Sequence, residues 1–233
     1  MQGRTGGDAF AKNRQTNHPP RDAANMYVPS HFKEDNIEKL HQYIRDYNFG
    51  LLIVADDKGI EANHVPFVLT VENNDPFGRL HCHLARNNPA WQRLAAGARV
   101  LVVFQGPNAY ISPSWYKTKA DTGLVVPTWN YLAIHAEGKA QVIEDPVWLQ
   151  HHLHQLTDQH EANNPDPWSV DDAPQDFTNR LMQAIVGIEI NIETLTGKLK
   201  ASQNQPAQNR KGVKAGLKTE EGKTRTFMSE FVQ

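Results

Sequence analysis

Arg86 lies where a predicted strand runs directly into a predicted helix, in the stretch His83-Leu84-Ala85-Arg86-Asn87-Asn88-Pro89. Asn88 can cap a helix whose first position is Pro89. The free N–H groups and the dipole at a helix start favour an anion, and a guanidinium adds a bidentate contact. The pattern is therefore typical of a phosphate-binding site. An arginine that only bonds the backbone of the turn fits it equally well, so both interpretations stay open.

Two of the eleven histidines, His81 and His83, share one face of a predicted strand. Two imidazoles on one face can bind a metal, but the spacing specifies no third ligand and Cys82, the one cysteine, points the other way. We therefore expect structural or ligand-lining histidines and predict no metal site. Four more fall on a predicted helix, where we expect a solvated polar face: His151, His152, His154 and His160.

Two turns rich in proline and aromatic residues occupy 112–117 and 126–131. Their large side chains can serve only to pin the loops. Alternatively, the turns form a platform for a flat aromatic ligand, to which Thr128 and Asn130 would supply hydrogen bonds. The basic, amide-rich segment 198–204 follows the last predicted strand, and it is either solvated or reaches into a ligand site.

The hydrophobic pattern predicts about seven strands. Short apolar runs separated by turns indicate strands at 50–55, 60–71, 79–84, 99–105, 109–112, 129–143 and 186–193. Pro66 marks the second as an edge strand or a bulged one. Helices are predicted after Asp35, Asn88 and Asp145, and another around Phe177. Because most turns are too short for parallel crossovers, the predicted fold class is mainly β: an antiparallel, closed β-barrel with peripheral helices.

Composition restricts the class of protein. The longest apolar run has seven residues, whereas a membrane-spanning helix needs about 20, so we expect no membrane partner. One cysteine favours a cytoplasmic location. The net charge of −2 hides a segregation: residues 144–193 carry ten acidic and one basic side chains, and residues 198–225 carry eight basic and two acidic ones. These are either solvated faces, or the basic segment meets an anionic ligand.

Six short motifs follow one another along the chain: YVPSHF at 27–32, NHVPF at 63–67, HLARNNP at 83–89, YISPSWY at 110–116, PTWNY at 127–131 and SQN at 202–204. In order and spacing they resemble the PaiB-type negative transcriptional regulators. This family binds FMN on a split β-barrel related to pyridoxamine 5′-phosphate oxidase and flavin reductases. The resemblance implies an N-terminal extension over 1–25, a split-barrel FMN-binding domain over 26–217 and a C-terminal segment over 218–233.

The resemblance also implies FMN as the cofactor and a homodimer that binds it in a groove between two barrels, partly through residues of the other subunit. It implies neither a catalytic residue nor a metal. Gln205 stands where the family pattern has arginine, and Asn63 where it has a small residue or threonine. The implied cofactor-binding residues are Asn63, His64, Val65, Pro66, His83, Ala85, Arg86, Asn87, Asn88, Thr128, Trp129, Asn130, Lys200, Gln203 and Asn204.

The implied function is that of a regulator with flavin as a sensing or structural ligand. Whether the chain is an enzyme stays open, because the same barrel could carry an FMN-dependent oxidoreductase or oxidase. A third alternative, prompted by the histidines, is a barrel that binds haem or another small ligand. DNA is a further candidate partner, although no helix-turn-helix pattern is present and residues 26–143 balance eleven basic against eleven acidic side chains.

Overall fold

The computed structural model describes residues 26–72, 75–219 and 223–232. Eight antiparallel strands form one sheet: β1 Lys33–Glu34, β2 Phe49–Asp56, β3 Gly59–Pro66, β4 Val68–Thr70, β5 Arg79–Ala85, β6 Arg99–Ile111, β7 Thr128–Ile143 and β8 Ile185–Lys200. Seven α-helices accompany it: α1 Ile37–Asp46, α2 Ala90–Ala95, α3 Lys119–Thr122, α4 Pro146–Glu161, α5 Gln175–Met182, α6 Ala207–Thr219 and α7 Lys223–Phe231. The predicted antiparallel, mainly β fold with peripheral helices is confirmed.

The strand order is β3-β2-β6-β7-β8-β5-β4, with β1 on β8. The strand predicted over 60–71 is wrong as one element, because β3 pairs with β2 and β4 pairs with β5 at the opposite edge. Phe67 lies between them, fully buried, and its N–H donates to the Asn48 carbonyl at 2.9 Å. The chain therefore crosses from one edge of the curled sheet to the other at Phe67.

The long strands β6, β7 and β8 differ in extent or continuity from the predicted strands, and two of their pairings contain a register shift. The predicted turn at 106–107 is a register shift within continuous β6, between Gln105 and Asn108. A second shift lies between Glu137 and Gly138 of β7, where a Cβ on Gly138 would lie 1.8 Å from the Asn191 carbonyl oxygen. Only glycine fits there. β8 runs seven residues beyond the predicted end at 193, since its pairing with β7 continues after the apolar alternation stops.

The core lies inside the curled sheet, where alternate residues of each strand point inward. Its buried side chains include Leu52, Val54, Leu80, Cys82, Val102, Phe104, Leu132, Ile134, Ile188 and Ile190. A second cluster forms where α6 and α7 pack on the ends of β6 and β8, with Val213, Leu217, Met228 and Val232 buried. The helix predicted after Asp35 begins one residue later, because the Asn36 side chain caps it by accepting from the Lys39 N–H at 2.9 Å.

No helix in the described part of the chain is both long enough and apolar enough to span a bilayer. The predicted extension over 1–25 lies outside the described residues. The predicted division of the remainder at 217 stays a prediction, and α7, which follows it, packs against β6 and α6.

Candidate functional site

The predicted site residues fall into two sets. The first, the β7–β8 set, comprises Thr128, Trp129 and Asn130 at the start of β7 and Lys200, Gln203 and Asn204 at the end of β8. Pairing of Tyr131 with Lys200 brings the two strand ends together. Lys200 Nζ donates to Thr128 Oγ1, and the fully buried Asn130 donates from Nδ2 to Ser202 Oγ at 2.9 Å.

A cavity of about 170 Å³ opens beside this set. Four members of the set line it, together with residues of three neighbouring segments. Its walls are Tyr116, Val126, Pro127, Thr128, Asn130, Lys200, Ser202, Asn204 and Gln205. Tyr116 contributes a phenol that is protonated at neutral pH and can donate a hydrogen bond, and burial raises its pKa further. The walls thus offer one cation, several amides and hydroxyls, and an apolar side.

Ser202 is the non-glycine residue with positive φ in the described chain, at +63°. This left-handed conformation costs a residue with a Cβ about 1–2 kcal/mol. Ser202 is 2% exposed, and its hydroxyl also bonds Asn130 Oδ1, so the surrounding structure imposes the strain. Backbone strain of this kind concentrates at ligand sites. The motif at 202–204 pointed to the segment, but not to this conformation.

Two members of the β7–β8 set turn away from the cavity. Gln203 accepts from the Ala201 N–H at 2.7 Å and donates to the Leu199 carbonyl at 2.5 Å, so its amide closes its own turn. Trp129 is 54% exposed and packs edge-on against Tyr110. That exposed indole is available to a ligand or to another protein surface.

The second set, the β3–β5 set, comprises Asn63, His64, Val65, Pro66, His83, Ala85, Arg86, Asn87 and Asn88. Asn88 Nδ2 donates to Asn63 Oδ1 at 2.7 Å, which ties β3 to the turn after β5. The side-chain Oδ1 of Asn88 accepts from the Ala90 N–H at 2.9 Å. Helix α2 begins at Ala90 with Pro89 in the N-cap position, one residue later than predicted, so Asn88 bonds the first helical N–H from the residue before the cap. His64 is exposed and stacks on Phe49 at 6.3 Å between ring centroids.

Arg86 binds protein groups at the start of β8. Its Nε donates to the Gln183 carbonyl at 2.9 Å and its Nη2 to the Ile185 carbonyl at 3.2 Å. Its Nη1 lies 2.5 Å from the Glu144 carboxylate. The guanidinium is 39% exposed, so an anion can approach it, but Glu144 already holds the outer nitrogen.

His83 lies beneath α4, apart from the rest of the β3–β5 set. Its Nδ1 is 3.1 Å from Nε2 of His152, which stacks on Trp148. Burial lowers the pKa of His83, and burial with the neighbouring His83 lowers that of His152 to about 3. The predicted solvated face is wrong for His152, which is 1% exposed, because helical periodicity does not reveal a polar residue that bonds a polar partner on a sheet.

His81 also has a protein partner, since its Nε2 lies 3.0 Å from a Glu189 carboxylate oxygen. Among the described residues, no three or more of His, Cys, Asp or Glu are grouped so that they could hold a metal ion.

The two sets do not meet within one chain. Strand pairing leads from Asn63 through Leu52 and Val102 to Ala136 on β7. Ala136 is six residues from Asn130, about 20 Å at 3.3 Å per residue. Strands β3 and β7 are also three strand positions apart across the sheet, which adds to the separation between Asn63 and Asn130. Within one chain the predicted site residues therefore lie in two separate groups.

Comparison with known proteins identifies the family of this chain. The profile of the family described as "Putative FMN-binding domain" matches residues 26–194. The chain belongs to this FMN-binding family. It is 32% identical over 208 residues to "Protease synthase and sporulation protein PAI 2" of Bacillus subtilis, covering 89% of this chain and 97% of that one. It is 35% identical to an uncharacterised protein of Emericella nidulans, covering 85% and 94% of the two chains. The predicted family is thus confirmed.

Solved structures show the same fold at low identity. A FAD and haem binding protein from Mycobacterium smegmatis superposes with a TM-score of 0.56 at 15% identity, covering 79% of this chain and 80% of that one. A conserved hypothetical protein from Mycobacterium tuberculosis gives 0.55 at 11% identity, covering 78% and 94%. These neighbours support the split-barrel fold.

The residues present fit the family's cofactor. FMN carries a phosphate and a flat ring system edged with hydrogen-bonding groups, and the cavity offers Lys200 beside amides and an apolar wall. The FMN prediction is confirmed at the level of the family. The family profile ends at 194, before Lys200, Gln203 and Asn204, so those assignments depend on the motif at 202–204 and on the cavity.

Proposed function

We propose that this protein is a cytoplasmic, homodimeric FMN-binding regulator in which flavin acts as a sensing or structural ligand. The observation that carries the proposal is the cavity at the β7–β8 set. It combines a lysine, a buried asparagine and a strained serine in a volume bounded by an aromatic side chain. Pockets with a few converging polar groups on an apolar wall are the usual form of cofactor sites.

The size of the cavity supports a shared site. At about 170 Å³ it is smaller than the roughly 300 Å³ at which cofactor pockets begin, so it can hold only part of a flavin. The β3–β5 set of the same chain lies too far away to supply the rest. A second copy that places its β3–β5 set against this cavity would complete the site. In a dimer with two-fold symmetry the same contact occurs twice, so the dimer would contain two complete sites.

The outer face of the sheet supports the same dimer. Successive residues of β2, β6 and β7 alternate between the core and this outer face. Its members are mostly apolar and only partly buried in the single chain: Leu51, Ile53, Leu101, Val103, Ala133 and His135. His135 Nδ1 is buried without a hydrogen-bond partner among the described residues, and burial lowers the pKa of this imidazole. A partner surface would cover this face.

Each chain's residues have separate tasks in such a site. Lys200 and the asparagines bind and orient the ligand, Tyr116 supplies a proton for a hydrogen bond, and Val126 and Pro127 exclude water. Bound FMN would supply a two-electron redox centre. Regulation is favoured over turnover by the name of the Bacillus subtilis relative, a sporulation protein.

The first experiment is an absorption spectrum of the purified chain, followed by FMN titration and measurement of the molar mass in solution. We expect flavin bands or micromolar FMN affinity, two FMN per dimer, and no catalytic bleaching by NADH or NADPH. Rapid bleaching with reoxidation in air would instead establish the oxidoreductase alternative. No flavin and no affinity would contradict the proposal.

A further inference from the structure

The β7–β8 ribbon separates two regions of opposite charge. Both strands have sixteen residues, so the ends of the ribbon are about 50 Å apart measured along the strands. The acidic segment 144–193 contains α4 and α5 and lies where β7 ends and β8 begins. The loop before β7 and helix α6 lie at the opposite end, which we call the basic end and define as residues 110–131 and 198–219.

The basic end contains eight lysines and arginines and one acidic residue, Asp121. None of its seven lysines makes an ion pair with a carboxylate of the described residues. Lys198 and Lys200 bond other protein oxygens, and the remaining five lie on the loop before β7 and on α6: Lys117, Lys119, Lys211, Lys214 and Lys218. Glu220 and Glu221 follow α6 in the sequence. The carboxylates of α4 and α5 lie at the far end of this ribbon, beyond the Debye length of about 10 Å at 0.1 M salt, so they screen the α6 lysines little.

The lysines are held on a fixed framework. Asn209 of α6 bonds Thr118, which lies between Lys117 and Lys119, through its Oδ1 and its Nδ2 at 3.0–3.3 Å. Trp115 packs directly on α6, where a Cβ at 212 would lie 1.9 Å from its carbonyl oxygen. The loop lysines therefore keep a fixed position beside those of the helix.

The composition of the α6 surface indicates the kind of polyanion. Lys211, Lys214 and Lys218 form a stripe about 10 Å long, and the large apolar residues Val213 and Leu217 point inward. A membrane-surface helix would expose large apolar side chains, and a single-strand binder would expose aromatic ones for base stacking. The exposed residues of α6 include neither. The exposed apolar side chains Leu124, Val126 and Trp129 of the basic end lie instead in the loop before β7 and at the start of that strand, next to the cavity. Lysines on a rigid helix suit the phosphates of a duplex.

We propose that the α6 lysine stripe, with Lys117 and Lys119 of the neighbouring loop, binds the phosphate backbone of duplex DNA beside the flavin cavity. This inference rests on the proposed regulatory function and names its partner and surface. Lysine–phosphate contacts carry no sequence information, so they would supply the salt-dependent part of the affinity and orient the protein on the duplex.

The test measures binding of the full-length protein to a labelled 24-base-pair duplex of random sequence from 50 to 200 mM KCl. One triple variant is Lys211→Gln, Lys214→Gln and Lys218→Gln. The matched control is Lys58→Gln, Arg99→Gln and Lys139→Gln, which removes the same charge at exposed positions outside the basic end. FMN titration and thermal unfolding of each variant report separately on the flavin site and the fold.

The salt slope is the slope of the logarithm of the binding constant against the logarithm of the KCl concentration. We expect its magnitude to be smaller by about 2.7 in the α6 variant, about 0.9 for each lysine removed. The wild-type affinity should then fall about 40-fold more than that of the variant across this range, whereas the control variant should follow the wild type. Equal losses in both triple variants would overturn the proposal, as would no binding by the wild type at 50 mM KCl. Stronger binding to phosphatidylserine vesicles than to the duplex would reassign the surface to membranes. If the triple variant unfolds, the single variants test the same slope, one lysine at a time.

Discussion

At the scale of single residues, the His83–His152 pair makes stability depend on pH. Burial lowers the pKa of His152 to about 3, whereas in the unfolded chain it titrates near 6.5. Between these values the unfolded state binds the additional proton, so the free energy of unfolding falls as pH falls. Above about pH 6.5 both states are neutral and the dependence ends.

We predict that the wild type loses about 2 kcal/mol more stability than His152→Gln between pH 7.5 and 5.0, because one titrating group contributes about 1.4 kcal/mol per pH unit below 6.5. Urea unfolding at the two pH values measures this difference. The exposed neighbour His151, changed to Gln, is the control and should retain the wild-type dependence. Identical pH dependence in all three proteins would show that His152 is not buried as a neutral group.

Arg86 presents a choice between a ligand contact and a structural bond. If it binds the FMN phosphate, Arg86→Ala should weaken FMN by about 1.5–3 kcal/mol, the size of a charge-assisted contact. Riboflavin, which lacks the phosphate, should bind both proteins equally. Glu144→Gln should strengthen FMN binding, since it removes the carboxylate that holds Nη1. Equal losses for FMN and riboflavin would instead assign Arg86 to the β5–β8 junction, and parallel titrations of both ligands distinguish the outcomes.

At the scale of elements, α6 depends on the absence of side chains where it meets Trp115. Alanine normally stabilises a helix by about 0.5–1 kcal/mol relative to glycine. At 212 the sign should reverse, because the new Cβ would lie 1.9 Å from the Trp115 carbonyl oxygen. We predict that Gly212→Ala lowers the free energy of unfolding by about 1–3 kcal/mol, the usual cost of overpacking. Urea unfolding measures this change in the free energy of unfolding, with Ala215→Gly as a control at an exposed position of the same helix. If Gly212→Ala were more stable than the wild type, the packing of Trp115 on α6 would be contradicted.

The sequence predicted elements where local pattern decides them. Short apolar runs located β5 and β7, and turn chemistry located the start of α2 to within one residue. Prediction from the sequence failed where contacts with residues distant along the chain determine the local structure. The break at Phe67 depends on the opposite edges to which β3 and β4 pair, and the burial of His152 depends on His83, 69 residues away. The site motifs were recognisable, but the strain at Ser202 and the separation of the two sets follow only from the folded sheet.

At the scale of the whole molecule, the separated sets make the proposed site a property of the dimer. Each flavin would contact the β3–β5 set of one subunit and the β7–β8 set of the other. Arg86→Ala removes a cation from the first set and Lys200→Ala removes one from the second. In either variant homodimer, both sites would lack one cation, so FMN binding should weaken in both proteins.

Mixing the two variants after reversible dissociation should restore binding. A heterodimer contains one site that lacks both cations and one site in which both sets are intact. Random exchange makes about half the dimers mixed, so about a quarter of all sites should recover wild-type FMN affinity. Titration of the mixture before and after exchange measures that fraction. Recovery near a quarter requires a site built from two chains, whereas no recovery after confirmed exchange would place the entire flavin site within one chain, because complementation needs each subunit to contribute the set that its partner lacks.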